Sequence, residues 1–158
     1  MFRLLKEFEL IDWMKGRLLP QTGEDDLILE IVVFIGTCAT DSSAAMYLCQ
    51  SDILPSLIDL LKAKQEDDEI VLQVGQNSLI RLCYPDRLFV QVIYVFYQLC
   101  SHSASRQYVQ QETEATPYLL DLLHDRNTEV QKVCDATLQR IGEVSQECEH
   151  KLLTEKFR

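Results

Sequence analysis

Few residues of this 158-residue chain have the types and the spacing that chemistry requires. Cys100 and His102 come closest to a thiol–imidazole pair, but two residues at this spacing on a helix end do not face each other. No Asn or Asp is placed to orient the imidazole, and no glycine turn nearby could form an oxyanion hole. We therefore expect a packed cysteine, a surface histidine and no enzymatic activity.

Metal and cofactor motifs are also missing from the sequence. The six cysteines show neither a C-x-x-C pair nor the Cys/His spacing of a zinc site. Phosphate-binding and zinc-protease motifs do not occur either. We expect no metal, no cofactor and no small-molecule substrate. Cys38, Cys100 and Cys134 fall on or beside apolar helix faces, where a thiol packs as a small hydrophobe.

The net charge of −10 disfavours nucleic acid and anionic membrane as partners, because both would be repelled. It favours a basic partner surface, although a solvated acidic exterior needs no partner at all. The longest apolar runs, Ile31–Ile35 and Val92–Tyr97, are far shorter than the roughly 20 residues that span a bilayer. The first residues mix charges into their apolar positions, unlike a secretory signal, so we expect a cytosolic or nuclear location.

Two separate stretches, Phe34–Lys62 and Phe96–His124, have nearly the same pattern. Each has a Cys four residues after the Phe and ends on Pro-x-Leu-Ile/Leu-Asp-Leu-Leu. The acidic triplet at positions 24–26 recurs at positions 66–68. Units of about forty residues with short apolar helices predict an all-α solenoid of the armadillo or HEAT type. Of the two we expect the armadillo type, an α-solenoid that forms a right-handed superhelix of about three repeats.

The predicted domain is single and covers residues 1–158. Residues 1–23 would end a preceding repeat, 24–65 and 66–126 would each be a repeat, and 127–158 a partial repeat with a C-terminal helix. The apolar periodicity predicts a first helix at 2–18 and a second, Leu27–Cys38, that is apolar nearly all round and therefore covered on both sides. Asp41 lies in a turn that should cap the next helix. Pro55 and Pro117 each stand in the first turn of a later one.

The second repeat contains an insertion, which covers positions 74–91. Joining Gln73 to Val92 brings the spacing of this repeat close to that of the first. A wholly helical insertion of this length, about 18 residues, would make five turns and keep the helix faces in phase. Gly75, Asn77 and Pro85 favour a broken helix or a loop instead. A short intron translated in frame is one hypothesis for its origin, since Gln-Val stands at both borders.

Six ordered segments together carry a resemblance to a known family: residues 24–32, 65–69, 92–98, 118–125, 132–135 and 155–158. They resemble the kinesin-associated protein family, the armadillo-repeat accessory subunits of heterotrimeric kinesin-II. The resemblance covers nearly the whole chain outside the insertion and matches the C-terminal armadillo region of longer proteins.

The resemblance implies a non-catalytic adaptor that binds the tails of the kinesin-II motor subunits and links cargo proteins. It further implies microtubule-based and intraflagellar transport, in the cytoplasm and at the cytoskeleton or cilium. If the helices opening at Pro55 and Pro117 line the concave face, as third helices do in armadillo repeats, their carboxylates would meet basic tail segments. The partner-binding candidates are Asp59, Glu66, Asp67, Asp68 and Asp121.

Two alternatives stay open at this point. The chain could be another kind of armadillo protein-binding module, although the usual ladder of Asn side chains on third helices is missing. It could also be a non-functional truncated gene product, whose first helix would expose the apolar side that preceding repeats should cover.

Overall fold

The computed structural model describes residues 1–19, 25–74, 85–142 and 153–154, with side-chain surroundings except at 64–74 and 85–86. Within these ranges the regular elements are helices, as the apolar periodicity predicts. Their bounds are α1 Phe2–Glu7, α2 Leu10–Arg17, α3 Asp25–Cys38, α4 Ser42–Gln50, α5 Ile53–Val74, α6 Pro85–Leu99, α7 Ser103–Glu112, α8 Ala115–Asp121 with a 3₁₀ turn Leu122–His124, and α9 Thr128–Gly142. None of the described helices is both long and apolar enough to cross a membrane.

Most helices pack on the helix three positions further along the chain. The pairs are α1 with α4, α2 with α5, α3 with α6, α4 with α7, and α6 with α9. Stacked three-helix units give such a pairing, because each unit contacts only its neighbours. The all-helical class is therefore confirmed, while the right-handed superhelix of about three repeats remains a prediction.

The single helix predicted at residues 2–18 is wrong, because the chain turns a corner at Phe8 and Glu9. Glu9 takes the left-handed conformation, with φ of 49°. The corner lets α1 pack on α4 while α2 packs on α5. Asp52 makes the same corner between α4 and α5, with φ of 54°. Phe8 and Glu9 are not turn-forming residues, so the sequence carries no turn signal at the first corner. At the second corner Ser51 and Asp52 are typical turn residues, and they predict the break between the two helices.

Other helix ends agree with the sequence. The sequence predicts an N-cap in the turn at positions 40–43, and the structure assigns it to Asp41, whose Oδ1 accepts a hydrogen bond of 2.8 Å from the Ala44 amide. Helix α4 begins at Ser42, two residues before the predicted start. Pro55 and Pro117 are each the third residue of their helix, in the first turn where a missing amide costs no hydrogen bond.

The sequence match pairs Phe34 with Phe96, but the helices are aligned one residue differently in the structure. Asp41 and His102 are the residues before α4 and α7, and their separation in the chain is one position shorter than that of the two phenylalanines. One residue turns a helical side chain by about 100°. Phe34 is accordingly 36% exposed and Phe96 fully buried.

The predicted insertion lies partly outside the described residues, at 75–84. Residues 85–91 form the first turns of α6 and continue into the helix predicted at 92–100, with Leu88 and Phe89 buried. Helix α6 thus has 15 residues, against 14 in α3 and 15 in α9. The two acidic triplets are not equivalent: Asp25 begins α3, while residues 66–68 lie within α5. The repeat boundaries remain predictions.

Candidate partner-binding surfaces

The structure places Asp59 and Asp121, two of the predicted acidic residues, in different surroundings. Asp59 is exposed on α5 and lines a cavity of about 250 Å³. Asp121 is exposed at the end of α8 and is not among the lining residues of that cavity. Glu66, Asp67 and Asp68 lie in the part of α5 whose side-chain surroundings are not described. Their role in binding stays a prediction.

We call this cavity the acidic groove. Its floor is apolar, and four carboxylates face one lysine across it. The Lys62 ammonium lies 3.0 Å from Glu114 Oε2, so an ion pair spans the groove. Both partners are substantially exposed, and an exposed pair of this kind contributes at most about 1 kcal/mol. The lining residues are Cys49, Asp52, Leu54, Pro55, Ile58, Asp59, Lys62, Tyr108, Glu112, Thr113 and Glu114.

A second candidate surface lies on α3, α6 and α9. These three helices pack side by side, since α6 contacts both α3 and α9, and α5, α7 and α8 each contact α6 or α9. Large apolar side chains remain exposed on this layer: Val33 at 38%, Phe34 at 36% and Tyr94 at 41%. The expectation that Leu27–Cys38 is covered on both sides is therefore wrong, since one stripe of α3 has no covering helix among the described elements.

The exposed stripe continues across α6 to α9. The Tyr94 and Tyr97 rings stack with centroids 5.6 Å apart, and the Gln98 amide donates to the Tyr94 hydroxyl at 2.5 Å. The Arg140 guanidinium lies 4.0 Å from the centre of the Tyr97 ring. It also donates to the Tyr97 hydroxyl at 2.6 Å and to Ser101 Oγ. We call Val33, Phe34, Tyr94, Tyr97 and Arg140 the aromatic stripe.

The sequence carries one signal for this stripe, the apolar surplus of α3. This helix has more apolar residues than a single buried face needs, a pattern that by itself predicts burial on all sides. An apolar surplus on a helix at a free face produces an exposed patch instead, which is a mark of interaction sites. Arg140 carried no comparable signal, because its contacts with Tyr97 and Ser101 join positions 43 and 39 residues apart.

The remaining reactive groups lie in packing positions. Cys38, Cys49, Cys100 and Cys134 are buried free thiols, as the apolar faces predicted for three of them. Burial raises the pKa of the Cys49 and Cys134 thiols to about 12 each, which keeps them protonated and unreactive at neutral pH.

The pair at the end of α6 does not form a reactive site either. His102 directs its Nε2 to the Ala39 carbonyl oxygen, 3.0 Å away, and so joins the ends of two units. No group of three or more potential metal ligands occurs among the described residues.

Comparison with known families identifies the chain. The family model of the kinesin-associated protein (KAP) matches residues 2–80 and 77–158. The two matches overlap at residues 77–80, inside the segment predicted as an insertion. The chain therefore belongs to the kinesin-associated protein family, which confirms the resemblance found in the sequence.

Proposed function

We propose that this member of the kinesin-associated protein family is a non-catalytic adaptor of the kinesin-II motor complex. It binds the tails of the motor subunits and links them to cargo proteins in microtubule-based and intraflagellar transport. Family membership supports the kinesin-associated adaptor role, with a cytoplasmic, cytoskeleton-associated location. The motor class, the cargo and the cilium are parts of the proposal.

The acidic groove is the observation that carries motor docking. Of its charged residues, Lys62 is already paired with Glu114, so the other three carboxylates dominate the local potential. A Lys or Arg from a basic tail segment would place its charge beside Asp59 and its aliphatic stem against Leu54 and Ile58. The net charge of −10 would speed the encounter with such a segment.

The test measures binding of the two motor tail segments to the complete 158-residue chain by biolayer interferometry. Asp59→Asn and Glu112→Gln should each weaken binding by about three- to tenfold at physiological salt, and higher salt should shrink the difference. Glu30→Gln removes one exposed carboxylate from α3 and serves as the matched control. Circular dichroism on each variant establishes that it is folded.

Two results would contradict the proposal. A folded chain that binds neither tail segment would place motor docking elsewhere in the complex. Equal losses in Asp59→Asn and Glu30→Gln would show that only the total charge matters, and that the groove has no specific role.

A further inference from the structure

We infer that the aromatic stripe is a second docking surface, and that its occupant is an acidic amphipathic segment of a partner protein. The inference does not depend on motor docking in the acidic groove, because none of the residues of the aromatic stripe lines that groove.

The stripe offers apolar contact area in the form that protein interfaces use. Val33, Phe34 and Tyr94 are the large apolar residues left exposed on the layer, and α3 and α6 pack directly on each other. Tyr94 is held by its stacking on Tyr97 and by Gln98, so little side-chain freedom is lost when a partner binds. Tyrosine and arginine are enriched among residues that dominate binding energy.

Arg140 determines the charge of the partner. Its guanidinium bonds to two neutral hydroxyls and stacks on a neutral ring, and it forms no ion pair with a carboxylate among the described residues. A held guanidinium with its charge uncompensated favours a carboxylate on the incoming segment.

The opposite end of the stripe has the opposite preference. Glu30 is exposed one turn before Phe34 on α3, so an acidic residue placed there would be repelled. The segment would therefore lay its apolar residues across Phe34 and Tyr94 and its carboxylates over Arg140. Three packed helices span about 20 Å, which a helix of about 14 residues or more can cross.

Two synthetic helical peptides of about 18 residues test the inference, at five turns each. Both carry leucines on one face; one has glutamates on the remaining positions and the other has lysines. Fluorescence anisotropy measures the binding of each labelled peptide to the complete chain. The net charge of −10 alone predicts that only the basic peptide binds, so acceptance of the acidic one is informative.

We expect the acidic peptide to bind, and Phe34→Ala and Tyr94→Ala to weaken its binding by about tenfold or more. Arg140→Gln should weaken it and reduce its salt dependence. Phe8→Ala, which removes a ring that is 64% exposed on another part of the chain, should leave it unchanged. Asp59→Asn should also leave it unchanged, while weakening the basic peptide.

The inference is overturned if the acidic peptide fails to bind at about 1 mM. It is equally overturned if Phe34→Ala and Tyr94→Ala bind that peptide as well as the unchanged chain does. Because both side chains are exposed, these variants keep the fold, and circular dichroism checks this in each case. The inference also fails if only Arg140→Gln loses binding of the acidic peptide and that variant is unfolded, because the rings of Phe34 and Tyr94 would then contribute nothing to binding.

Discussion

Deletion of residues 74–91 should leave a folded chain, because a second copy of the lost helical turns precedes the deleted segment. The run Asp68–Val74 has Asp, Gln and Val at the same places as Asp86–Val92, with three apolar residues between. The offset between the two runs equals the length of the deleted segment and amounts to about five helical turns. After deletion, Asp68–Gln73 can replace Asp86–Gln91 at the start of α6 without turning its buried face.

The expected cost follows from two buried side chains. Leu88 and Phe89, 4% and 7% exposed, would be replaced by Ile70 and Val71. The first exchange conserves volume and should cost less than about 1.5 kcal/mol. The second loses four carbons from the core, or about 2–3 kcal/mol. If Ile70 and Val71 did not take these places, the core would lose both side chains. That loss would lower the free energy of unfolding by about 5–10 kcal/mol, which is comparable with the whole stability of a small domain.

Urea denaturation followed by far-ultraviolet circular dichroism distinguishes the two cases. We expect the deleted chain to unfold cooperatively, with a free energy of unfolding about 2–4 kcal/mol below that of the full chain. Val71→Asp should then unfold the deleted chain, just as Phe89→Asp should unfold the full one. A deleted chain without a cooperative transition, or one indifferent to Val71→Asp, would refute the replacement.

Three further predictions test packing, backbone and thiols. Phe96→Ala should lower the free energy of unfolding by about 3–5 kcal/mol, and Phe34→Ala by less than about 1 kcal/mol. Similar losses for the two variants in urea denaturation would contradict this, because they would show that Phe34 and Phe96 occupy equivalent positions. Glu9→Gly should raise that free energy by about 0.5–1 kcal/mol, because glycine removes the left-handed strain of about 1–2 kcal/mol at some entropic cost; a lower melting temperature would contradict this. Since burial raises the pKa of Cys49 and Cys134 from 9.0 to about 12, the folded chain holds these protons more tightly. The stability that these thiols contribute should therefore be complete below pH 9 and be lost between pH 9 and 12. The free energy of unfolding of Cys49→Ala should decrease less steeply over that range. An equally steep decrease in that variant would exclude the Cys49 thiol as a cause of the pH dependence.

The sequence predicted those features that depend on local chemistry. The cap at Asp41 needs only a carboxylate before a helix, and the prolines need only a first turn. The corner at Glu9 could not be predicted, because tertiary packing holds an ordinary residue in a conformation that its own propensity disfavours. The exposure of Phe34 could not be predicted either, since periodicity identifies apolar residues but not the faces that neighbouring helices cover.

The order of long segments in the sequence predicts the family, but it does not predict the binding site. The repeated motif predicts equivalent roles for Asp59 and Asp121, yet Asp59 lines the acidic groove and Asp121 does not. The reason is local: Glu112 at the end of α7 and the following Thr113 and Glu114 line the groove beside Asp59, whereas the end of α8 packs against α9. Repeated sequence therefore placed two carboxylates on similar helices without giving them the same surroundings.

An adaptor must hold two partners at once, and the layered packing suits this. The acidic groove is lined by residues of α4, α5 and α7 and of the turns that follow α4 and α7, while the aromatic stripe consists of residues of α3, α6 and α9. Occupants of the two surfaces would not overlap, and their opposite charges exclude competition for one site. Helix α6 contacts the helices of both surfaces, and its core residues, such as the fully buried Phe96, are tightly packed. We therefore expect no alternative packing of α6 through which a partner at one surface could change the affinity of the other. Binding of the acidic and basic peptides to one chain should therefore be independent, each leaving the affinity for the other unchanged.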